Sequence, residues 1–178
     1  MKNRNLILSL ALLGSLTAAG AAHAQGKIYI GAKAGVVEAD LAGFDNAFNA
    51  GVYGGYNLLG KNSHFAADLS GGTLAVEGEV TLSVAKGDAP VGEWDLTSVG
   101  AYAAYRHPLT DYFYLKGKLG LVRYDIDTTV ASANSGTETA LAAGIGAGWK
   151  VGPGSLEVEI TAYESDVRML SAGFHMSF

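Results

Sequence analysis

The 178-residue sequence predicts an all-β fold, an eight-stranded antiparallel up-and-down transmembrane β-barrel, and three observations carry that prediction. Apolar and polar residues alternate with a period of two through eight successive segments. Beyond the first two dozen residues no segment holds a helical period, or the roughly 20 continuous apolar residues of a membrane helix. The connections between segments differ in length, as in barrels that have short turns on one side of a membrane and long loops on the other.

The N-terminal residues stand apart from this pattern. Lys2 and Arg4 precede an apolar run from Leu6 to Leu16, and small residues follow up to Ala22-His23-Ala24. This is the layout of a secretory signal peptide: the run is too short to cross a bilayer as a helix, and the A-x-A ending suits the peptidase. Cleavage is expected before Gln25, making residues 1–24 the signal peptide and 25–178 a single barrel domain. Losing Lys2 and Arg4 leaves 10 basic against 17 acidic side chains, a formal charge of −7, which speaks against nucleic acid as a partner. Cysteine is absent, so an exported domain of this size draws its stability from a core or a closed sheet rather than from disulfides.

The first strand is expected over residues 27–37, where Ile28, Ile30, Ala32, Ala34 and Val36 form one row and Tyr29, Gly31, Lys33 and Gly35 the other. The second, 47–60, sets Phe48, Ala50, Val52, Tyr56 and Leu58 against Asn49, Gly51, Tyr53, Gly55 and Asn57. A two-residue turn at Lys61-Asn62 would keep Leu58 and Phe65 on one face and lead into a third strand over 63–75. The remaining strands are expected over 94–106, 112–126, 137–151, 155–164 and 168–178. Short turns fall at Pro108-Leu109-Thr110 and Gly152-Pro153-Gly154, and long loops at 38–46, 76–93 and 127–136. Within the second loop Val80, Leu82 and Val84 alternate ahead of Gly87-Asp88-Ala89-Pro90, which suggests a small hairpin extending the sheet above the membrane. Ala162 and Leu170 share a face only across an odd-numbered loop, expected as Ser165-Asp166-Val167.

Leu141, Ala143, Ile145, Ala147, Trp149 and Val151 are assigned to lipid, as are Leu156, Val158, Ile160 and Ala162. A soluble sandwich would turn these rows into a core. The signal peptide argues against it, and so do the many glycines on the polar rows, where a solvated strand carries Lys, Glu or Thr. An eight-stranded barrel is just wide enough for side chains to fill. Its interior polar network is expected to comprise Lys33, Asp68, Arg106, Lys116, Lys118, Lys150, Glu157 and Glu159, with Tyr102 and His175 on the same rows. Unpaired burial would cost several kcal/mol per ion, about the effective penalty in real proteins, so Lys116, Lys118 and Lys150 are expected to plug the lumen by pairing with Glu157 and Glu159. Tyr105, Tyr112, Phe113, Tyr114 and Trp149 lie near strand ends and are expected to form an aromatic girdle.

The last segment alternates through Leu170, Ala172, Phe174, Met176 and Phe178, and resembles the C-terminal signal that the barrel assembly machinery recognises in outer-membrane proteins. Residues 25–178 as a whole resemble the opacity-protein-like, OmpA-like family of small outer-membrane β-barrels. The segments Ala101-Tyr102-Ala103-Ala104-Tyr105-Arg106 and Lys116-Gly117-Lys118-Leu119-Gly120 are similar to that family's fourth and fifth strands. The resemblance implies the bacterial outer membrane as location, and outer-membrane lipids with lipopolysaccharide as surroundings. It further implies the assembly machinery as a partner during insertion, a host or surface ligand at the outer loops, and a monomer.

Candidate chemistry is sparse. The mature chain offers His64, His107 and His175 as bases, all toward the end with the short turns, and no nucleophile is set beside them in a recognisable pattern. No cysteine or histidine pair has ligand spacing, Asp125-Ile126-Asp127 reads as a solvated acidic loop, and Gly144-x-Gly146-x-Gly148 lacks the helix of a phosphate loop. No catalytic residue, metal or cofactor is therefore assigned. The expected function is a structural or surface-display, adhesin-like envelope role through the outer loops. A narrow channel for small solutes is the first alternative, and an outer-membrane lipid-modifying enzyme the second.

Overall fold

The computed structural model describes residues 28–40, 43–59, 71–90, 92–129, 136–163 and 167–178. The expected signal peptide, the expected Lys61-Asn62 turn, His64, Phe65 and Asp68 lie outside the described residues. The period-two segments form β1 (Ile28–Ala39), β2 (Ala47–Leu59), β3 (Thr73–Ala85), β4 (Gly87–Ala89), β5 (Gly92–Pro108), β6 (Phe113–Thr128), β7 (Gly136–Val151), β8 (Gly154–Tyr163) and β9 (Val167–Ser177). Hydrogen-bonded neighbours run β3-β2-β1-β9-β8-β7-β6-β5, and β3 pairs with β5 to close an eight-stranded antiparallel barrel. The short β4 lies against the start of β5.

Closure leaves each strand one face toward lipid and one toward the lumen. On β7 Leu141 and Ile145 are 68% and 72% exposed, whereas the lumen-facing charged residues Lys118 and Glu77 are buried at 4% and 0%. A core built the other way round would reverse these values, so the sandwich alternative is excluded.

Seven strands lie within two residues of their expected ends; the third does not. The strand paired with β2 is Thr73–Ala85, running from Leu59↔Leu74 to Phe48↔Ala85 with register shifts at Asn57/Leu59 and Phe48/Asn49, and the expected opposition of Gly60 and Ser63 lies outside the described residues. Val80, Leu82 and Val84 belong to this strand and not to an outer hairpin. Its lipid row is Leu74, Val76, Gly78, Val80, Leu82 and Val84, and its inward row holds Glu77, Glu79 and Thr81. The alternation from Ala75 onward is as regular as in any other strand, and the barrel wall uses that stretch. At the β8–β9 hairpin Tyr163 pairs with Val167, which leaves three intervening residues, the expected odd number displaced by one. Val167 is thus a buried strand residue.

The connections β5–β6 and β7–β8 mark one end of the barrel, called here the turn end, and the opposite end is the loop end. There β7 runs past its last pairing with β8, Ala142↔Tyr163, while its pairing with β6 continues to Ile126↔Gly136. The strands β4 to β7 therefore rise as a flap beyond the neighbouring rim.

Candidate functional site

The lumen is assembled from an arrangement of large and small inward residues. On β7 the inward Gly144, Gly146 and Gly148 stand directly beside Lys118, Lys116 and Tyr114 of β6 on one side, and beside Thr161, Glu159 and Glu157 of β8 on the other. Without Cβ atoms in the middle strand, the β6 side chains lie across it and reach the β8 carboxylates. A Cβ at Gly144 would sit 2.9 Å from Lys118 Cε and 3.1 Å from Thr161 Oγ1.

The ions that meet there form two tiers. In the tier toward the loop end, Lys33 Nζ lies 2.7 Å from Glu79 Oε2 and 3.2 Å from Glu159 Oε1. Lys118 Nζ lies 2.8 Å and 2.7 Å from the same two oxygens. In the tier toward the turn end, Arg106 donates from Nη2 to Glu77 Oε2 at 3.0 Å and from Nε to Glu157 Oε1 at 2.8 Å. Lys116 joins the tiers, with Nζ at 2.9 Å from Glu77, 3.0 Å from Glu157 and 2.9 Å from Glu159. The strand order puts β3 and β8 on opposite walls, so every one of these cations touches a carboxylate from each wall. Among the described residues four cations, the buried Lys33, Lys116 and Lys118 and the partly buried Arg106, balance four buried carboxylates, the condition under which burying charge is tolerable. Tyrosines supply further donors: Tyr29 OH donates to Glu77 at 2.7 Å, and Tyr114 OH to Glu157 at 2.7 Å.

Of the expected network the structure brings together Lys33, Arg106, Lys116, Lys118, Glu157 and Glu159. Lys150 does not join: it is exposed at the turn end, and no ion pair ties it to Glu157 or Glu159. It stands beside Ser155 at the rim, too near the mouth to reach the ion tiers. Asp68 lies outside the described residues. The carboxylates Glu77 and Glu79 join the network although the sequence predicts a loop over residues 76–93; both fall on the polar row of an alternating segment.

The girdle residues divide. Phe113 and Trp149 are exposed and paired side by side on the lipid face, Tyr105 is half-buried on the same face, and Tyr112 is exposed in the turn just ahead of β6. Tyr114 points inward, 4% exposed, because it follows Phe113 by one residue and period two reverses its face. Tyr56, Phe174 and Phe178 add exposed rings toward the same end. Leu170, Phe174, Met176 and Phe178 of the last row lie outward together with Ala172, and β9 pairs with β1 along its whole length.

A turn-end cavity of about 170 Å³ is lined by Tyr29, Arg106, Tyr114, Lys150, Ser155 and His175 among others. Ser155 and His175 are register partners across β8 and β9, but His175 Nδ1 lies 3.1 Å from the Tyr53 hydroxyl, and Glu157 is held by Arg106, Lys116 and Tyr114. His107 packs against Tyr105 at the turn end. No group of three or more metal-ligating side chains occurs among the described residues.

Above the ions, toward the loop end, the inward rows turn apolar. Val37, Leu96, Val122, Tyr163 and Met169 pack with Trp94 into a layer in which none of these residues exceeds 1% exposure. The chain between β1 and β2 closes over it. Phe44 packs edge-on to Trp94, Trp94 Nε1 donates to Asp45 O at 2.8 Å, and Asp45 N donates to Asp88 O at 2.8 Å. Gly43, at φ 84°, lies close against Pro90, where only glycine adopts the backbone without strain.

Comparison with known proteins places this geometry. Residues 8–169 match the family model described as outer membrane protein beta-barrel domain. No curated protein sequence matches the chain. Among solved structures, Neisserial surface protein A is similar at 21% identity, with 85% of this chain and 97% of that chain covered and a TM-score of 0.54. Ail, the attachment invasion locus protein of Yersinia pestis, is similar at 18% identity over 84% of this chain and 96% of that one, TM-score 0.51. The de novo designed barrel TMB2.3 is similar at 16% identity over 86% and 94%, TM-score 0.52. At these identities the likeness to solved structures speaks for the fold, while the family model spans most of the sequence. The chain is therefore a member of the outer membrane protein beta-barrel domain family, located in the bacterial outer membrane.

Proposed function

We propose that this protein is a non-conducting surface barrel whose loop end is displayed outside the cell in a structural or adhesin-like role. The observation that supports the reading best is the filled lumen. Two ionic tiers join opposite walls, and a buried apolar layer under Phe44 and Trp94 lies above them. Hydrated ions would have to break several buried charge pairs and then pass an apolar constriction. The names of two similar structures, a surface protein and an attachment invasion locus protein, are in keeping with display. A catalytic role finds less support, since the Ser155 and His175 pair sits in a small cavity with its neighbouring carboxylate already committed to cations.

Planar-bilayer recording on the refolded protein tests the reading. Silence is expected under conditions in which a porin control conducts, and steady unitary steps would favour the narrow-channel alternative. Protease treatment of intact cells tests display: cleavage in the connection between β6 and β7 is expected, and protection of that connection in cells but not in lysates would overturn it.

A further inference from the structure

Glu159 of β8 carries an uneven load on its two oxygens. Oε1 is approached by Lys33 Nζ at 3.2 Å and Lys118 Nζ at 2.7 Å, and Thr161 Oγ1 donates to it at 2.8 Å. Oε2 is buried and accepts no hydrogen bond among the described residues, since Lys116 Nζ, 2.9 Å away, lies off the direction in which the two could bond. A buried carboxylate oxygen without a donor is costly, so the atom calls for a further partner.

Space for that partner lies beside it. A cavity of about 10 Å³ is bounded by Lys33, Tyr53, Lys116, Glu157, Glu159 and Ser171, side chains from both ionic tiers. That volume is about what one water molecule needs. The lining also fits water by its chemistry: two ammonium groups donate, two carboxylates accept, and two hydroxyls do either. A metal cation would face the ammonium groups and an anion the carboxylates, which leaves a small neutral molecule that both donates and accepts. Each of these six residues has register partners on both sides, so the site lies within the closed wall and not among the connections.

Tyr53 stands between this cavity and the larger one at the turn end. Its ring crosses from β2 over β1 to β9, where a Cβ at Gly31 would stand 2.8 Å from Cε1 and a Cβ at Gly173 3.3 Å from the same atom. Its hydroxyl meets His175, which lines the turn-end cavity. We propose that the cavity beside Glu159 is a binding site for one long-lived internal water molecule, which donates to Glu159 Oε2 and accepts an ammonium N–H from Lys33 or Lys116. The water is then a neutral member of the ionic plug, joining the two tiers where no side chain does so. The proposal goes beyond the display reading and does not depend on it.

Two measurements on the whole refolded barrel test the site, with water itself as the probe. A crystal structure fine enough to resolve ordered solvent is expected to show one peak within about 3.2 Å of Glu159 Oε2, the range of a hydrogen bond. Ser171→Val puts methyl groups into the cavity and is expected to remove that peak. Oxygen-17 relaxation dispersion, which counts long-lived internal waters, is expected to give one fewer for the variant than for the parent. Should Ser171→Val not fold, Gly173→Ala fills the same space, its added Cβ standing 3.0 Å from Lys33 Cβ. An absent peak in the parent, a peak or an unchanged water count in the filled variant, or replacement of the peak by bromide on soaking would each overturn the proposal. None of these outcomes bears on display or conductance, which the protease and bilayer experiments read separately.

Discussion

Gly144 of β7 stands directly beside Lys118 of β6, and the missing side chain is what lets the lysine reach Glu159 on the far side of β7. The same step repeats at Gly146 beside Lys116, whose Nζ reaches both Glu157 and Glu159. The glycines on the polar row thus serve a lattice of charges rather than flexibility.

Gly144→Val is therefore expected to destabilise the barrel by about 1–3 kcal/mol, the usual cost of overpacking a filled interior. Gly117→Val makes the same change on the lipid face of β6, where an added Cβ meets nothing within 4 Å. It is expected to stay within about 0.5 kcal/mol of the parent. Urea unfolding in lipid vesicles reads both, and equal effects would contradict the assignment of faces.

Removing one partner from a buried charge group leaves another ion uncompensated. Glu79→Ala strips a carboxylate from both Lys33 and Lys118 and is expected to cost about 3–5 kcal/mol. Combining it with Lys118→Met should cost less than the sum of the two single changes, since Lys33 and Glu159 remain as a pair. Lys150→Ala, outside the tiers, is expected to be within about 0.5 kcal/mol of neutral.

The lipid belt has an upper limit on β7 that charge substitutions can locate. Ile145→Arg faces hydrocarbon and is expected to cost about 2–4 kcal/mol, whereas Thr137→Arg on the same row, in the flap, should cost about 0–1 kcal/mol. Similar costs at the two sites would mean that the flap is embedded.

The two tryptophans report the two environments separately. Trp149 is 61% exposed on the lipid face and Trp94 is 1% exposed in the apolar layer. Lipids brominated along the acyl chain should quench Trp149 emission, and Trp149→Phe should abolish that quenching while leaving the emission of Trp94. Persistent quenching in the variant would place Trp94 in contact with lipid and contradict the inward layer.

Period-two alternation is a local property, so the strand count, the outward rows and the inward position of Lys33, Arg106, Lys116, Lys118, Glu157 and Glu159 could all be read from the chain. Tyr114 shows how sharp that rule is, since one residue separates it from the lipid-facing Phe113 and puts its hydroxyl on Glu157. Where a weak alternation at 63–75 adjoined a strong one at 75–85, local pattern did not say which the wall would use. Only the pairing of β3 with β2 and β5 placed Glu77 and Glu79 in the lumen. Which ions meet was likewise decided by closure. The cations on β1, β5 and β6 join carboxylates from opposite walls because closure sets β3 and β8 across the lumen from each other, a proximity that no spacing along the chain encodes.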